Sequence, residues 1–242
     1  MTDRIAIVTG GSRGIGRASA ERLAADGLAV VVGYSGNEQL ANEVVAGIVE
    51  RGGRAVAVRA DVADETQAQA LFDAATENFG GVDVVVNAAG TMTLGPLVDF
   101  PLDQFDELMR VNVRGTFIID QLAARTVRDG GAIINFSTTV MKTKLPTYSA
   151  YVATKGAVEA IGLVLARELA GRDITVNAVA PGPTATDLFL DGKDDALIER
   201  LANMNPMHRL GTPGDIAEVV SFLAGPGRWV NGQVLYANGG MA

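Results

Sequence analysis

Short runs rich in β-branched residues alternate with longer helical patterns along this chain. Between the early runs, apolar residues recur at i, i+3 and i+4, as over 18–28 and 41–49, which is the spacing of an amphipathic helix. Glycines at 27, 52–53 and 80–81 stand where those helices would end before a strand. The pattern predicts an α/β fold: a doubly wound parallel sheet with helices on both faces. Seven strands are expected, at 5–8, 29–32, 55–58, 82–86, 132–136, 174–176 and 233–236.

The length of 242 residues and the 48% share of hydrophobic residues suit one domain with a large core. We therefore expect a single domain over 1–242, without internal repeats or long linkers. The regular pattern is weakest over 186–210, and this stretch is predicted to be a substrate loop containing a short helix.

The formal net charge of −8 argues against a nucleic-acid partner, since such proteins present basic surfaces to phosphates. Cysteine is absent, which excludes disulfides, thiolate nucleophiles and Cys-ligated zinc, and no metal site is predicted. The first residues run directly into a strand without a leader pattern. No stretch was expected to reach the ~20 apolar residues that span a bilayer. The expectation is a soluble, cytoplasmic protein without a membrane partner.

The segment Thr9–Gly16 reads TGGSRGIG and joins the first strand directly to a helix. Backbone amides at a helix N-terminus form an anion site, and glycines at 10, 14 and 16 let a pyrophosphate approach the backbone, as in a Rossmann-type turn. Arg17-Ala18 excludes a P-loop, which needs Lys followed by Ser or Thr. Two alternatives stay open: a turn without ligand, and a G-x-S-x-G hydrolase elbow with Ser12 as nucleophile and His208 as the sole histidine. The predicted cofactor contacts in this loop are Gly10, Ser12, Arg13, Gly14, Ile15 and Gly16.

The end of the second strand bears on the choice of cofactor. An acid there binds the ribose 2′-hydroxyl of NAD, but this chain has Gly33-Tyr34-Ser35-Gly36-Asn37. Arg13 could pair with a 2′-phosphate, with hydrogen bonds from Ser35 or Asn37 and with Tyr34 in the same contact set. The sequence therefore favours NADP(H). The alternative for Arg13 is a solvated surface charge.

Tyr151 and Lys155 begin a helical segment at i, i+4 spacing, which places phenol and ammonium on one face. Tyrosine alone, with a pKa of ~10, is a poor base near neutrality. A positive charge at ~4 Å with an effective dielectric of ~20 is worth about 4 kcal/mol, or roughly 3 pK units. Lys155, together with the positive nicotinamide of the oxidised cofactor, is thus expected to lower the pKa of Tyr151 towards neutrality. The alternative is two ordinary residues on an amphipathic helix.

Taken in order, these motifs resemble the short-chain dehydrogenase/reductase family over essentially the whole chain, and 3-oxoacyl-[acyl-carrier-protein] reductases among its members. The resemblance implies that Asp61 contacts adenine, Asn87 supports the central strand, Asn112 holds a water in a relay with Lys155, and Thr186 bonds the carboxamide. The alternatives are helix caps for Asp61 and Thr186 and ordinary polar groups for the asparagines. The matching residues are Thr9, Gly10, Gly14, Gly16, Asp61, Val62, Asn87, Ala88, Ala89, Gly90, Asn112, Tyr151, Lys155, Pro181 and Gly182. All of them except Thr9 and Asn112, together with Thr184 and Thr186, are expected to contact the cofactor.

One departure from the family pattern lies thirteen residues before the tyrosine, where Thr138 stands instead of serine, with Ser137 adjacent. A threonine hydroxyl keeps both donor and acceptor, so Thr138 is the predicted substrate-oxygen ligand and Ser137 the alternate. Smaller departures are Ala88, where many relatives have a second asparagine, and Asn238, where aspartate is common. Family members are commonly tetramers, so a homotetramer is expected.

The resulting hypothesis is an NADP(H)-dependent oxidoreductase that moves a hydride between nicotinamide and a carbonyl or secondary alcohol. Asn112, Thr138, Tyr151 and Lys155 are its predicted catalytic residues, and the substrate is a small-molecule ketone or a 3-oxoacyl thioester. Two other hypotheses stay open: a catalytically idle NADP(H) sensor and the Ser12 hydrolase. The substrate pocket is expected to be apolar and adaptable, with His208 as a loop residue. Its candidate lining is Met92, Leu94, Met141, Leu188, Phe189, Met204 and Met207.

Overall fold

A computed structural model of the chain, which describes residues 4–242, contains one seven-stranded sheet in which every adjacent pair is parallel. The strand order is β3-β2-β1-β4-β5-β6-β7, which confirms the predicted α/β class and the strand count. The strands are β1 Ile5–Thr9, β2 Ala29–Tyr34, β3 Arg54–Arg59, β4 Val82–Asn87, β5 Val127–Phe136, β6 Thr175–Pro181 and β7 Val234–Ala237.

Helices connect these parallel strands and cover both faces of the sheet. Gly27, Gly52 and Gly80, which were expected at helix ends, have φ of 93°, 83° and 97°. The left-handed conformation costs glycine little, so it ends α1, α2 and α3 before the next strand. The helices are α1 Gly14–Ala25, α2 Glu38–Glu50, α3 Glu65–Phe79, α4 Leu102–Leu108, α5 Gly115–Thr126, α6 Val140–Thr143, α7 Ser149–Glu168, α8 Asp187–Leu190, α9 Asp195–Ala202 and α10 Pro213–Ala224, with a π-helical turn at Met109–Arg114 and a 3₁₀ turn at Leu97–Asp99.

Two apolar cores lie on the two faces of the sheet. On one face α3, α5 and α7 contribute residues such as Phe72, Ile119 and Leu165. On the other, α1, α2 and α10 contribute residues such as Leu23 and Ile216. Successive side chains along a strand point alternately into the two cores, as a sheet covered on both faces requires. The chain reverses its winding between β1 and β4, so the ends of these two strands open a crevice, which is where α/β sheets bind ligands.

Strand β5 begins five residues earlier than its apolar pattern indicated. The added residues, 127–131, are the buried Val127, the charged Arg128 and Asp129 and two glycines, and their pairing with β4 shifts register between Val82 and Val84. Asp83 holds this irregular stretch, because its Oδ1 accepts a 2.9 Å hydrogen bond from Arg128 Nε and its Oδ2 accepts one of 2.7 Å from the Ile5 amide. A side-chain ion pair, which the apolar pattern does not encode, therefore extends the strand.

The expectation that no segment has the length and composition of a membrane span was wrong. Among residues 4–242 one helix, α7, is long and apolar enough to cross a bilayer. Its apolar residues instead pack on β5, β6 and α5, and Val158, Gly162 and Leu165 are buried there. One face of α7 is thus buried in the fold, whereas Leu163 and Val164 are exposed.

Candidate active site

The Thr9–Gly16 segment forms a tight turn between β1 and α1, in which Gly14 has a φ of +55°. A Cβ on Gly16 would collide with the Gly10 carbonyl oxygen, so the helix can approach the strand only with glycine here. Arg13 occupies the N-cap position of α1 in an extended conformation, and no side chain caps the helix. The backbone amides in the first turn of α1 thus point beyond the end of β1 and have no side-chain cap. Such amides suit a phosphate group. Ile15 and Ser12 lie in the same turn, partly buried.

The segment after β2 carries the predicted 2′-phosphate ligands. Asn37 caps α2, since its Oδ1 accepts a 3.0 Å hydrogen bond from the Leu40 amide, which leaves its amide nitrogen for a ligand. Ser35 contributes its carbonyl oxygen to Arg59 Nε at 3.2 Å, and Tyr34 is buried. Arg13 is exposed, and no ion pair to it is found among residues 4–242. These positions leave two cations, Arg13 and Arg59, near this corner of the sheet.

Asp61 lies just after β3, and the alternative that it caps a helix was wrong. Asp64 is the N-cap of α3, because its Oδ1 accepts from the Gln67 amide at 2.9 Å. Asp61 instead accepts from the Ala63 amide at 3.0 Å and from Arg110 Nη1 at 2.8 Å. Burial opposes the shift, but these hydrogen bonds hold the pKa of Asp61 below its usual range. The next residue, Val62, is buried against Gly115.

The end of β4 closes the crevice opposite the glycine turn. Thr9 Oγ1 donates a 3.0 Å hydrogen bond to Asn87 Oδ1 and accepts one of 3.0 Å from the Ala89 amide, so Asn87 does support the central strands. Asn87 Nδ2 is buried and has no partner within the described part of the chain. A cofactor that offered an acceptor here would satisfy this donor. Ala88 and Ala89 lie against Gly10.

Tyr151 and Lys155 lie in the first two turns of α7. The Lys155 ammonium nitrogen is 5.6 Å from the centre of the Tyr151 ring and donates a 2.9 Å hydrogen bond to the Phe136 carbonyl oxygen. A Cβ on Gly90 would be 3.7 Å from Lys155 Nζ and 3.2 Å from Asn112 Oδ1. Four of the predicted residues are thus brought together at the carboxyl ends of β4 and β5.

In the protein chain itself, burial raises the pKa of the Tyr151 phenol above its ordinary value, and the neighbouring Tyr148 raises it further. Burial also lowers the pKa of Lys155 to about 8. Burial disfavours the charged form of each group, which explains both directions. The expected lowering for Tyr151 includes the charge of the oxidised nicotinamide, so it stays a prediction for the cofactor complex. A high pKa keeps the phenol protonated, as a proton donor requires.

Asn112 lies in the π-helical turn between α4 and α5 and is 1% exposed. Its Nδ2 donates to the Thr91 carbonyl oxygen at 2.9 Å and to Thr154 Oγ1 at 3.1 Å, while its Oδ1 accepts from the Thr91 amide at 2.8 Å. The side chain therefore fastens the loop after β4 to α7. The predicted water relay would have to use the backbone of Asn112 rather than this occupied amide.

Thr138 and Ser137 follow β5 and differ in the state of their hydroxyl groups. Ser137 Oγ donates a 2.5 Å hydrogen bond to Glu159 Oε1, so its proton is engaged. Thr138 Oγ1 accepts only a long bond, 3.3 Å, from the Val140 amide and keeps its proton for another acceptor. Of the two candidates, Thr138 has the available donor. Sequence reasoning did not single out Glu159, although it stands eight residues after Tyr151, on the same helix face.

The segment after β6 lies above the glycine turn. A Cβ on Gly14 would be 3.3 Å from Thr186 Cγ2, so the two loops meet. Thr186 caps α8 by accepting from the Phe189 amide at 3.3 Å, as the alternative for this residue expected. Thr184 Oγ1 donates to the Gly182 carbonyl oxygen, and Pro181 ends β6. The 186–210 stretch holds two short helices, α8 and α9, rather than one.

Two further expectations concern His208 and metals. His208 is exposed in a turn with a φ of +51°, and within residues 4–242 no hydrogen bond joins its ring to Ser12. In the same described range no three His, Asp or Glu side chains group in a way that could hold a metal ion. The hydrolase hypothesis therefore lacks the Ser-His contact that it needs.

A family model described as enoyl-(acyl carrier protein) reductase matches residues 10–242. The chain is 45% identical to a short-chain type dehydrogenase/reductase of Picea abies, over 98% of this chain and 92% of that protein. It is 40% identical to an Arabidopsis thaliana protein named as NADPH-dependent aldehyde reductase-like and chloroplastic, over 99% of this chain and 94% of that one.

Among solved structures, the chain resembles a short-chain dehydrogenase from Burkholderia cenocepacia in complex with NADP. The TM-score is 0.92 at 40% sequence identity, and the match covers 100% of this chain and 98% of that one. Both the fold and the length of the chain agree with these relatives.

Proposed function

Because the chain belongs to the short-chain dehydrogenase/reductase family, we propose that it is an NADP(H)-dependent oxidoreductase acting on a carbonyl or secondary alcohol. The observation that carries the proposal is the pairing of Tyr151 with Lys155 on α7, beside Gly90 and at the sheet end that holds the glycine turn. The proton donor Tyr151, the cation Lys155 and the phosphate-binding glycine turn then line one crevice. Small-molecule ketones and 3-oxoacyl thioesters are the proposed substrates.

The residues present fit NADP(H). The uncapped first turn of α1 would hold the pyrophosphate, and Asn87 Nδ2 offers a buried donor beside it. Arg13, with Ser35 and Asn37, would hold the 2′-phosphate, since residues 33–37 at the end of β2 include no acid. Asp61 and Val62 would adjoin the adenine, and Pro181, Gly182, Thr184 and Thr186 the nicotinamide end. The same cofactor is named for the Arabidopsis relative and for the Burkholderia structure.

When bound, NADPH supplies the hydride that the carbonyl carbon accepts. Thr138 donates a hydrogen bond to the carbonyl oxygen and orients it. Tyr151 then donates its phenolic proton to that oxygen, so that the alcohol leaves uncharged. The Lys155 ammonium stabilises the phenolate that remains, and the Asn112 region returns a proton through water. In the direction of oxidation, the same groups act in reverse order.

A panel of ketones, quinones and 3-oxoacyl thioesters, each followed by the loss of NADPH absorbance, tests this proposal. Reduction of at least one substrate by wild-type protein, and not by Tyr151→Phe, is the expected result. Tight NADPH binding without reduction of any carbonyl would instead support the idle sensor. Ester cleavage that disappears in Ser12→Ala would support the hydrolase.

We also propose a cytoplasmic homotetramer. The absence of cysteine suits a reducing compartment. Large apolar side chains are exposed on α5 and α7, where Phe117 and Val164 are 54% and 56% exposed, and a second copy of the chain would cover them. Light scattering coupled to size-exclusion chromatography is expected to give four times the chain mass. A stable monomer would refute the proposal.

A further inference from the structure

Glu159 belongs to the same face of α7 as the proposed proton donor and its lysine. Tyr151, Lys155 and Glu159 follow each other at intervals of four residues, and each lies about one turn beyond the last. Lys155 binds the Phe136 carbonyl oxygen, and Glu159 binds the hydroxyl of Ser137, the next residue along the chain. Two consecutive turns of α7 therefore hold two consecutive residues at the end of β5.

The segment after β5 is also held from β6. The Ser137 amide donates to the Val179 carbonyl oxygen at 2.8 Å, and the Thr139 amide donates to that of Pro181 at 2.9 Å. Thr138 lies between these two fixed residues and has no short side-chain hydrogen bond of its own. Its position relative to Tyr151 is therefore determined by how its neighbours are attached to β6 and α7.

We propose that Glu159 is a positioning residue, which by binding Ser137 fixes Thr138 at the distance from Tyr151 that the substrate oxygen needs. A hydrogen bond from a hydroxyl to a carboxylate is short and strong, and Ser137 is 3% exposed. The same bond engages the Ser137 proton, so that Thr138 alone offers a hydroxyl to the substrate. Misplacement of a reacting group by about 1 Å can cost roughly 100-fold in rate, so loss of the hydrogen bond between Glu159 and Ser137 is expected to lower the rate strongly.

Two titratable side chains from other elements lie on the Glu159 side of α7. Tyr236 of β7 faces Glu159: burial raises the pKa of this phenol, and Glu159 raises it further. The Lys142 ammonium of α6 lies 5.4 Å from the centre of the Tyr236 ring. Ser137 is the neutral partner that donates to the carboxylate. None of Tyr236, Lys142 and Ser137 is a proposed cofactor contact.

The inference rests on the proposed function, and four variants test it. Glu159→Ala and Ser137→Ala are each expected to lower kcat for carbonyl reduction by about tenfold or more. Glu159→Gln keeps an acceptor and should lose less than about threefold. The double variant should be no slower than either single one, because the two residues share one interaction.

The dissociation constant for NADPH, measured by nicotinamide fluorescence, should be unchanged in all of these variants. Glu168→Ala, an exposed position on the same helix, is the matched control.

A readout without turnover separates this inference from the proposed function. Amide hydrogen exchange over 136–139 should accelerate at least about tenfold in Glu159→Ala and recover in Glu159→Gln. Accelerated exchange in a protein whose wild type reduces no carbonyl would reject the proposed function and keep Glu159 as the anchor of this segment. Unchanged exchange and unchanged kcat would overturn the inference. So would an equal loss of kcat, NADPH affinity and thermal stability that glutamine does not rescue.

Discussion

The Lys155 ammonium serves two partners: it lies 5.6 Å from the centre of the Tyr151 ring and binds the Phe136 carbonyl oxygen at 2.9 Å. The first relationship places a positive charge beside the phenol, and the second fastens α7 to the end of β5. Burial raises the pKa of Tyr151, which favours the protonated phenol that carbonyl reduction uses as its proton donor.

Replacement of Tyr151 by phenylalanine should remove the proton donor and leave the cofactor site intact. We expect Tyr151→Phe to reduce carbonyl substrates at least ~100-fold more slowly, with an unchanged dissociation constant for NADPH. Steady-state rates and fluorescence titration measure the two quantities. Tyr148→Phe is the matched variant, since this ring packs edge-on against Tyr151 at 6.4 Å, and it should lose less than about tenfold. Retained turnover in Tyr151→Phe would refute the assignment.

The pH dependence of reduction should follow Lys155. Burial lowers the pKa of its ammonium to about 8, so the positive charge is lost as the pH rises through that value and not near 10.5. Without the charge, the phenolate formed by proton donation is less stable. Thus kcat/KM for reduction should fall above about pH 8. In Lys155→Arg, whose guanidinium stays protonated, that fall should disappear below about pH 12, whatever the absolute rate. A flat wild-type profile up to pH ~10 would contradict the role.

Arg13 should discriminate between the two nicotinamide cofactors. Arg13→Ala is expected to weaken NADPH binding by about 10- to 100-fold, the range for hydrogen bonds to a charged group, and to leave NADH binding nearly unchanged. Arg17→Ala, which removes a cation paired with Glu21 on the same helix, is the control and should change neither affinity by more than about twofold. Equal weakening of both cofactors by Arg13→Ala would remove the basis for the NADP(H) preference.

Thr138 should act through its hydroxyl and not through its methyl group. Thr138→Ser keeps the donor, and we expect it to retain kcat/KM to within about threefold. Thr138→Val keeps the shape and loses the donor, so kcat/KM should fall by about tenfold or more. Comparison of the two variants on one substrate separates hydrogen bonding from packing. Similar activities of the two variants would show that the Thr138 hydroxyl does not bind the substrate oxygen.

Asp120 should make the stability of the fold depend on pH. It is 2% exposed, and burial raises its pKa from 3.8 to about 7, despite a 2.8 Å hydrogen bond from Asn135 Nδ2. The folded protein therefore holds a proton that the unfolded chain releases at lower pH. This stabilisation is complete below about pH 4 and is lost as the pH rises through about 7. The free energy of unfolding should fall by up to about 1.4 kcal/mol per pH unit in this window.

Asp120→Asn is expected to flatten that profile, because the amide does not titrate. Urea unfolding between about pH 4 and about pH 8 measures it, with the exposed Asp129→Asn as control. A slope that persists in Asp120→Asn would assign the proton to another group.

The sequence predicted the seven strands because each carries an apolar run that both faces of a covered sheet require. It did not predict the start of β5, which depends on the Asp83–Arg128 ion pair. Nor could it predict the π-helical turn, since nothing in the local residues of 109–114 distinguishes a π turn from an α turn. These features arise from contacts between elements far apart in the chain.

The Tyr151–Lys155 pair and the glycine turn were predictable from local spacing, because both lie within one element or one turn. The partners of Asn112 and of Ser137 were not, since Thr91, Thr154 and Glu159 meet them only after folding. The effect of burial on the pKa of Tyr151 could not be predicted for the same reason. Coulomb attraction can be read from a spacing of four residues, whereas burial is a property of the whole fold.

The π-helical turn sets the number of residues between α4 and α5, which no substitution can change. A π turn closes i→i+5 hydrogen bonds and so holds more residues per turn than an α-helix, and removal of one residue from 109–111 would let this turn close as an α-helix. The backbone around Asn112 would then change, and with it the direction of the side chain that binds Thr91 and Thr154. The number of residues in this turn therefore matters for the active site, and only insertions or deletions can test its contribution.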